Sequence, residues 1–207
     1  MTSPGEPPEG FTVLFVCTGN ICRSALAERL GREYLQERLG AGAAAIRLVS
    51  AGTRAVVGSG MHPDTALVLG GFGADPGDFR AQQLNESLVA NADLTLTMTR
   101  DHRRAVLGQA PRALARTFTV REAAALLTGI GEDTEIPGAA FPDRARALVA
   151  ALAAQRARQG AGQDDDVPDP IGRPVEFQQD VGELIVAALL PILARLADLT
   201  APASRAG

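Results

Sequence analysis

A short apolar run, Phe11 to Val16, passes directly into the polar loop Cys17-Thr18-Gly19-Asn20-Ile21-Cys22-Arg23-Ser24. Ala25, Leu26, Ala27, Leu30 and Leu35 then open a helical pattern that ends near Gly40 and Gly42. An apolar run of this length reads equally well as buried strand or as helix, but a glycine-bearing loop leading into a helical period makes it strand, tight loop, helix. The unit recurs. Ile46 to Val49 reads as a second strand running into Ser50-Ala51-Gly52-Thr53, with a helix from about Pro63 to Leu69 that stops at Gly70-Gly71. Leu94 to Met98 is a third strand, followed by a polar helix from about Arg100 to Leu107; Thr117 to Val120, begun as early as Leu114, is a fourth, with Arg121 to Leu127 helical behind it. Strands alternating with helices specify a parallel sheet with right-handed crossovers. The expected fold is therefore α/β and three-layered, a central four-stranded parallel sheet with helices on both faces, its functional groups at the carboxyl ends of the strands.

The rest of the chain reads as loops and two further helices. Gly129 to Pro142 is rich in Gly, Pro and acids, Asp143 to Arg158 is an Ala-rich helix, and Gln159 to Pro174 is a second loop carrying Asp164-Asp165-Asp166. A last helix from Val175 to about Leu199 aligns Val181, Leu184, Ile185, Ala188, Leu189, Ile192, Leu193 and Leu196 on one stripe, with a kink expected at Pro191. One domain over 11–199 follows, with residues 121–166 as an extended loop and helix insertion and loose tails at 1–10 and 200–207. With 46% hydrophobic and 21% charged residues the chain can bury a core, and its net charge of −4 argues against a nucleic-acid binder. All 20 of its cations are Arg, which reads as codon bias. The longest charge-free apolar stretch, Leu184 to Ala194, is too short for membrane insertion. Two cysteines make no disulfide framework, and their spacing does not fit a zinc pair. A cytoplasmic, reducing location is expected.

The chemistry sits in the first loop. Between a strand end and a helix start, successive backbone N–H groups and the helix N-terminus can surround an anion. Arg23 adds a planar fork matched to phosphate oxygens, and the same positive field favours the thiolate of Cys17 over its thiol. Gly19 permits positive φ, Asn20 tolerates the left-handed region, and Ser24 is near enough in sequence to donate to sulfur. One loop can thus hold a phosphate and activate a nucleophile.

Val16-Cys17-Thr18-Gly19-Asn20-Ile21-Cys22-Arg23-Ser24-Ala25 closely resembles the signature of the low-molecular-weight protein-tyrosine phosphatase family. Ser50-Ala51-Gly52-Thr53 resembles its second loop, Ala92-Asp93 before Leu94 to Met98 its third strand, and Asp169-Pro170 its acid motif; the likeness spans about residues 11–120 and 167–197. The resemblance implies a protein-tyrosine phosphatase needing neither metal nor cofactor and hydrolysing phosphotyrosine, in a phosphorylated protein or a small phosphomonoester such as an aryl phosphate. Cys17 would form a cysteinyl-phosphate while Asp169 serves as general acid and then base. Thr18, Gly19, Asn20, Ile21, Cys22, Arg23 and Ser24 would bind phosphate, Asn20 and Ser50 would brace the loop, and Cys22 would either form a reversible disulfide with Cys17 or be a buried structural thiol.

Ile171 follows Asp169-Pro170, and Arg54-Ala55-Val56-Val57-Gly58 follows the second loop, where family members acting on phosphotyrosine usually place aromatics. Phe79-Arg80-Ala81-Gln82 stands where a His and an Arg are frequent. Ile21 resembles the tyrosine-directed branch, since arginine-directed relatives tend to carry Thr there. An arsenate reductase dependent on a low-molecular-weight thiol, or a non-catalytic phosphate or phosphoprotein binder, are the alternatives. His62 and His102 read as helix-end or surface residues, Tyr34 as lying on the flank of the first helix, and Asp143 and Asp164 to Asp166 as solvated loop or cap residues.

Overall fold

The structure is a computed structural model and describes residues 10–131, 134–159 and 165–201. Four parallel strands form one sheet, β1 (Phe11–Cys17), β2 (Ile46–Gly52), β3 (Leu94–Thr97) and β4 (Thr117–Thr119), in the order β2-β1-β3-β4. The crossovers carry α1 (Arg23–Leu39), α2 (Pro63–Gly71), α3 (Glu86–Ala90), α4 (Arg100–Gln109) and α5 (Val120–Ile130), and α6 (Phe141–Gln159) and α7 (Val175–Asp198) follow.

Strand alternation divides β1 between two cores. Phe11, Val13, Phe15 and Cys17 point to one side, where they join Leu26 and Leu30 of α1, Ile185, Leu189 and Ile192 of α7, and residues of α5 and α6. Leu14 and Val16 point to the other, with Val89 of α3 and Val106 of α4. That is the three-layer α/β arrangement the alternating pattern predicts. Stretch 121–166 supplies part of the first core: Ala123 and Leu126 of α5 and Ala145, Leu148 and Leu152 of α6 are buried there, and Phe141 sets its ring edge-on to Phe11 at 6.3 Å.

Several boundaries differ from expectation. β2 runs on through Ser50-Ala51-Gly52, because each residue stays in register with β1 up to Cys17 opposite Gly52. β3 ends at Thr97 and β4 does not begin at Leu114, since Pro111–Arg116 is a 3₁₀ turn with Leu114 half exposed. The short α3, capped by Asn85 accepting the Leu88 N–H, escapes the apolar periodicity because only Val89 is buried. Pro191 lies inside α7 on its exposed side, and the helix continues through it. Nearly all of both expected tails, with Asp164, lies outside the described residues.

The strand order reverses between β1 and β3, and the crevice at such a switch point, off the carboxyl ends, is where this sheet type holds ligands. The loop after β1 opens there.

Candidate active site

The loop from Cys17 to Ser24 is held from outside by its carbonyls. Those of Cys17, Thr18 and Gly19 accept the N–H groups of Thr53, Arg54 and Val56 at 2.9, 2.9 and 3.0 Å, and that of Ile21 accepts the His62 N–H at 2.8 Å. In a trans peptide the N–H points opposite to the C=O, so the N–H groups of Thr18, Gly19, Asn20 and Cys22 are turned to the concave side. Gly52 permits the close contact with the second loop, because a Cβ there would stand 2.5 Å from the Thr18 carbonyl oxygen. The N-cap of α1 is Cys22 without a side-chain cap, and no acid occupies its first turn, whereas α4 and α5 carry Thr99 and Thr119 as caps. The orphan N–H groups and positive dipole end of α1 are thus left for an external anion.

Asn20 takes φ +55° and is wholly buried. Its amide nitrogen donates to Ser24 Oγ at 2.9 Å and Ser50 Oγ at 2.8 Å, and its oxygen accepts the Gln82 N–H at 2.8 Å. Ser50 in turn donates to Glu28 Oε2 at 2.6 Å, and Glu28 pairs with Arg32. The strained backbone is therefore fixed by a fully used amide. Cys17 Sγ lies 3.3 Å from the Asn20 N–H that points at it and 2.9 Å from Ser24 Oγ. Ser24 already accepts from Asn20, which leaves its own proton for the sulfur.

Arg23 is buried and spans the gap to the segment before α7: Nη1 donates to the Val167 carbonyl at 3.0 Å and Nη2 pairs with Asp169 Oδ2 at 3.0 Å. That segment is tethered along its length. The Val167 N–H donates to the Met98 carbonyl at 2.8 Å, Arg121 donates to the Asp166 carbonyl at 3.3 Å, and the Asp166 carboxylate accepts the Arg100 N–H at 2.8 Å. Cys17, Thr18, Gly19, Ile21, Cys22, Arg23, Arg54, Val56, Asp169 and Ile171 line one pocket of about 440 Å³. The structure thus gathers Cys17, Arg23 and Asp169 at one mouth, with Val56 and Ile171, each half exposed, as aliphatic walls.

Two residues read only as loop, cap or helix-end positions take on specific partners here. Asp166 is a fastening point, its carboxylate clasped by Arg100 at the start of α4. His102 is at a helix end but is buried; its Nε2 lies 2.9 Å from Thr18 Oγ1 and its Nδ1 2.9 Å from Thr99 Oγ1. Burial first, and then the Arg23 charge, pull the His102 pKa down to about 4. Burial pushes the Cys22 thiol up to about 11, against an opposing hydrogen bond with Thr65, so Cys22 stays protonated near neutrality. Gln82, Glu28, His102 and Thr99 are contributors that sequence reasoning missed. Only Thr99, placed as an N-cap ahead of Arg100-Asp101, had a local signal. Among the described residues no group of three or more His, Cys, Asp or Glu is placed to hold a metal ion, and no helix is long and apolar enough to cross a membrane.

Comparison with known proteins finds one family over more than half of the chain. The family described as low molecular weight phosphotyrosine protein phosphatase matches residues 12–137, from β1 through α5 and beyond. The chain is 35% identical over 111 residues to a probable low molecular weight protein-tyrosine-phosphatase, EpsP, of Ralstonia nicotianae, covering 54% of this chain and 71% of the relative. It is 45% identical over 93 residues to low molecular weight protein-tyrosine phosphatase A of Mycobacterium tuberculosis, covering 44% and 55% of the two chains. Among solved structures, a low molecular weight protein tyrosine phosphatase from T. tengcongensis superposes with a TM-score of 0.63 at 27% identity, over 91% of this chain and 99% of that one. The YwlE arginine phosphatase of Geobacillus stearothermophilus shares the fold, with a TM-score of 0.62 at 24% identity over 91% of both chains.

Proposed function

The chain belongs to the low molecular weight phosphotyrosine protein phosphatase family, and from that footing we propose that it hydrolyses phosphomonoesters, phosphotyrosine foremost, by two displacements at Cys17 without a metal. One observation carries the reading: a buried sulfur that receives an N–H and faces a hydroxyl stands in the same pocket as a guanidinium and a carboxylate held 3.0 Å apart. Asp169 lies beyond the stretch matched to the family, so its assignment rests on that geometry.

In the first displacement the Cys17 thiolate attacks phosphorus, the bond from phosphorus to the leaving oxygen breaks, and Asp169 gives that oxygen its proton. In the second, Asp169 takes a proton from water as the water oxygen attacks phosphorus, and the P–S bond breaks to return the thiolate. The inward N–H groups and Arg23 hold the three equatorial oxygens through both steps. Ser24 and Asn20 stabilise the departing sulfur. Cys22 supports a protective branch: once a peroxide has oxidised Cys17 to a sulfenic acid, attack by the Cys22 sulfur forms a disulfide while the Cys22 proton leaves with the departing hydroxide as water. The aryl ring of the substrate packs on Ile21, Val56 and Ile171, which supply apolar area without aromatic stacking.

Purified protein is expected to hydrolyse an activated aryl phosphate in the presence of a metal chelator. Cys17→Ser should abolish turnover and still bind vanadate. Full turnover in that variant would remove Cys17 from the mechanism.

A further inference from the structure

His102 is a buried ionisable side chain to which the two displacements give no part. It hangs from the first turn of α4, 84 positions beyond Thr18, yet both of its ring nitrogens are engaged. Thr18 follows the nucleophile directly and lines both the pocket of Cys17 and a neighbouring pocket of about 450 Å³ between the second loop, the start of α4 and the Asp169 segment.

We propose that His102, in its neutral form, is a positioning residue of the phosphate loop: its Nε2–H donates to Thr18 Oγ1 and so turns the Thr18 hydroxyl proton toward the bound oxyanion. This rests on the phosphatase reading above. The proposal assigns the bond directions so that the proton of each hydroxyl is used once. Thr99 Oγ1 accepts the backbone N–H of His102 at 3.2 Å, so the Thr99 proton is free for Nδ1, 2.9 Å away. Nδ1 is then an acceptor, the ring proton resides on Nε2, and Thr18 Oγ1 receives it. A Thr18 oxygen that accepts from the ring has only its own proton left to give, and Thr18 lines the pocket of Cys17 as well as the one it shares with His102. The opposite tautomer would make Thr99 Oγ1 accept twice and spend the Thr18 proton on the ring, away from any anion. A protonated ring would place a second cation beside Arg23, and burial opposes it.

The test uses side chains that restore one ring nitrogen at a time, with vanadate binding measured by calorimetry on the full chain. His102→Gln carries an amide nitrogen where Nε2 stood and should bind vanadate within about 3-fold of wild type. His102→Asn carries one where Nδ1 stood and should bind about 10-fold more weakly, the scale of one hydrogen bond to a charged group. Thr18→Val should show the same 10-fold loss, and in its background the two His102 variants should differ by less than about 2-fold. Equal weakening of Gln and Asn overturns the proposal, as does wild-type affinity in Thr18→Val, a result that needs neither His102 variant to fold. Failure of wild-type protein to bind vanadate overturns the phosphatase reading itself and is distinguished by that outcome.

Discussion

Replacing His102 with Gln should change how stability depends on pH. The folded-state pKa of His102 is about 4, against about 6.5 in an unfolded chain, so between those values the unfolded state binds a proton that the native state refuses. Stability that depends on a neutral His102 is fully present above about pH 6.5 and is lost as pH falls toward 4. A gap of about 2.5 units at 1.36 kcal/mol each, integrated from pH 7 to 4, gives a loss of about 3 kcal/mol. Burial is the largest cause and the Arg23 charge adds to it, while Asp169, Asp101 and Asp166 oppose it. Gln cannot titrate, so the variant loses only what the remaining groups contribute. Urea unfolding of both proteins at half-unit steps from pH 7 to pH 4 isolates the difference. The wild-type curve should fall about 3 kcal/mol further than that of His102→Gln. Parallel curves would show that the imidazole titrates as an exposed one does, and the buried, doubly bonded ring would be refuted.

Three other outcomes follow from the site. Asp169→Asn should lower kcat by about 10² to 10⁴ on an ester with a poor leaving group and far less on one with a good leaving group, as a general acid requires; equal losses on both would move the acid elsewhere. Gly52→Ala places a methyl 2.5 Å from the Thr18 carbonyl, so the loop must shift, at a cost of about 1 to 3 kcal/mol in chemical denaturation and a weakened hold on vanadate. Unchanged stability would mean that the two loops are less closely seated. After a pulse of peroxide, wild-type activity should return with a dithiol reductant, whereas Cys22→Ser should lose it for good; equal recovery would remove Cys22 from the protective branch.

The fold was legible because each strand carries its own local evidence. The alternation in β1 separates Phe15 from Val16, and the glycine-bearing loop after it announces a turn into a helix. The inner ring of the site was legible for the same reason, since Cys17, Asn20, Arg23 and Ser24 lie on eight consecutive residues. Its outer ring was not. Gln82 meets Asn20 through its backbone N–H, which no side-chain pattern records. Glu28 reads as an ordinary helix acid until Ser50 is brought against it. His102 and Asp166 acquire their roles only when β3 and the Asp169 segment arrive at one end of the sheet, a tertiary fact with no local signature.

The link between Arg23 and Asp169 has one more effect. One guanidinium edge of Arg23 is taken by the half-exposed Asp169 carboxylate. On the proposed mechanism an arriving dianion would compete for that edge, so docking of the ester and release of Asp169 would become a single event. Free phosphate is then expected to cause the same release without any chemistry, and rising ionic strength to weaken a contact this open to water. Anions in the buffer are therefore expected to act on Asp169 as well as on the pocket, and the rate at a given salt concentration to report both.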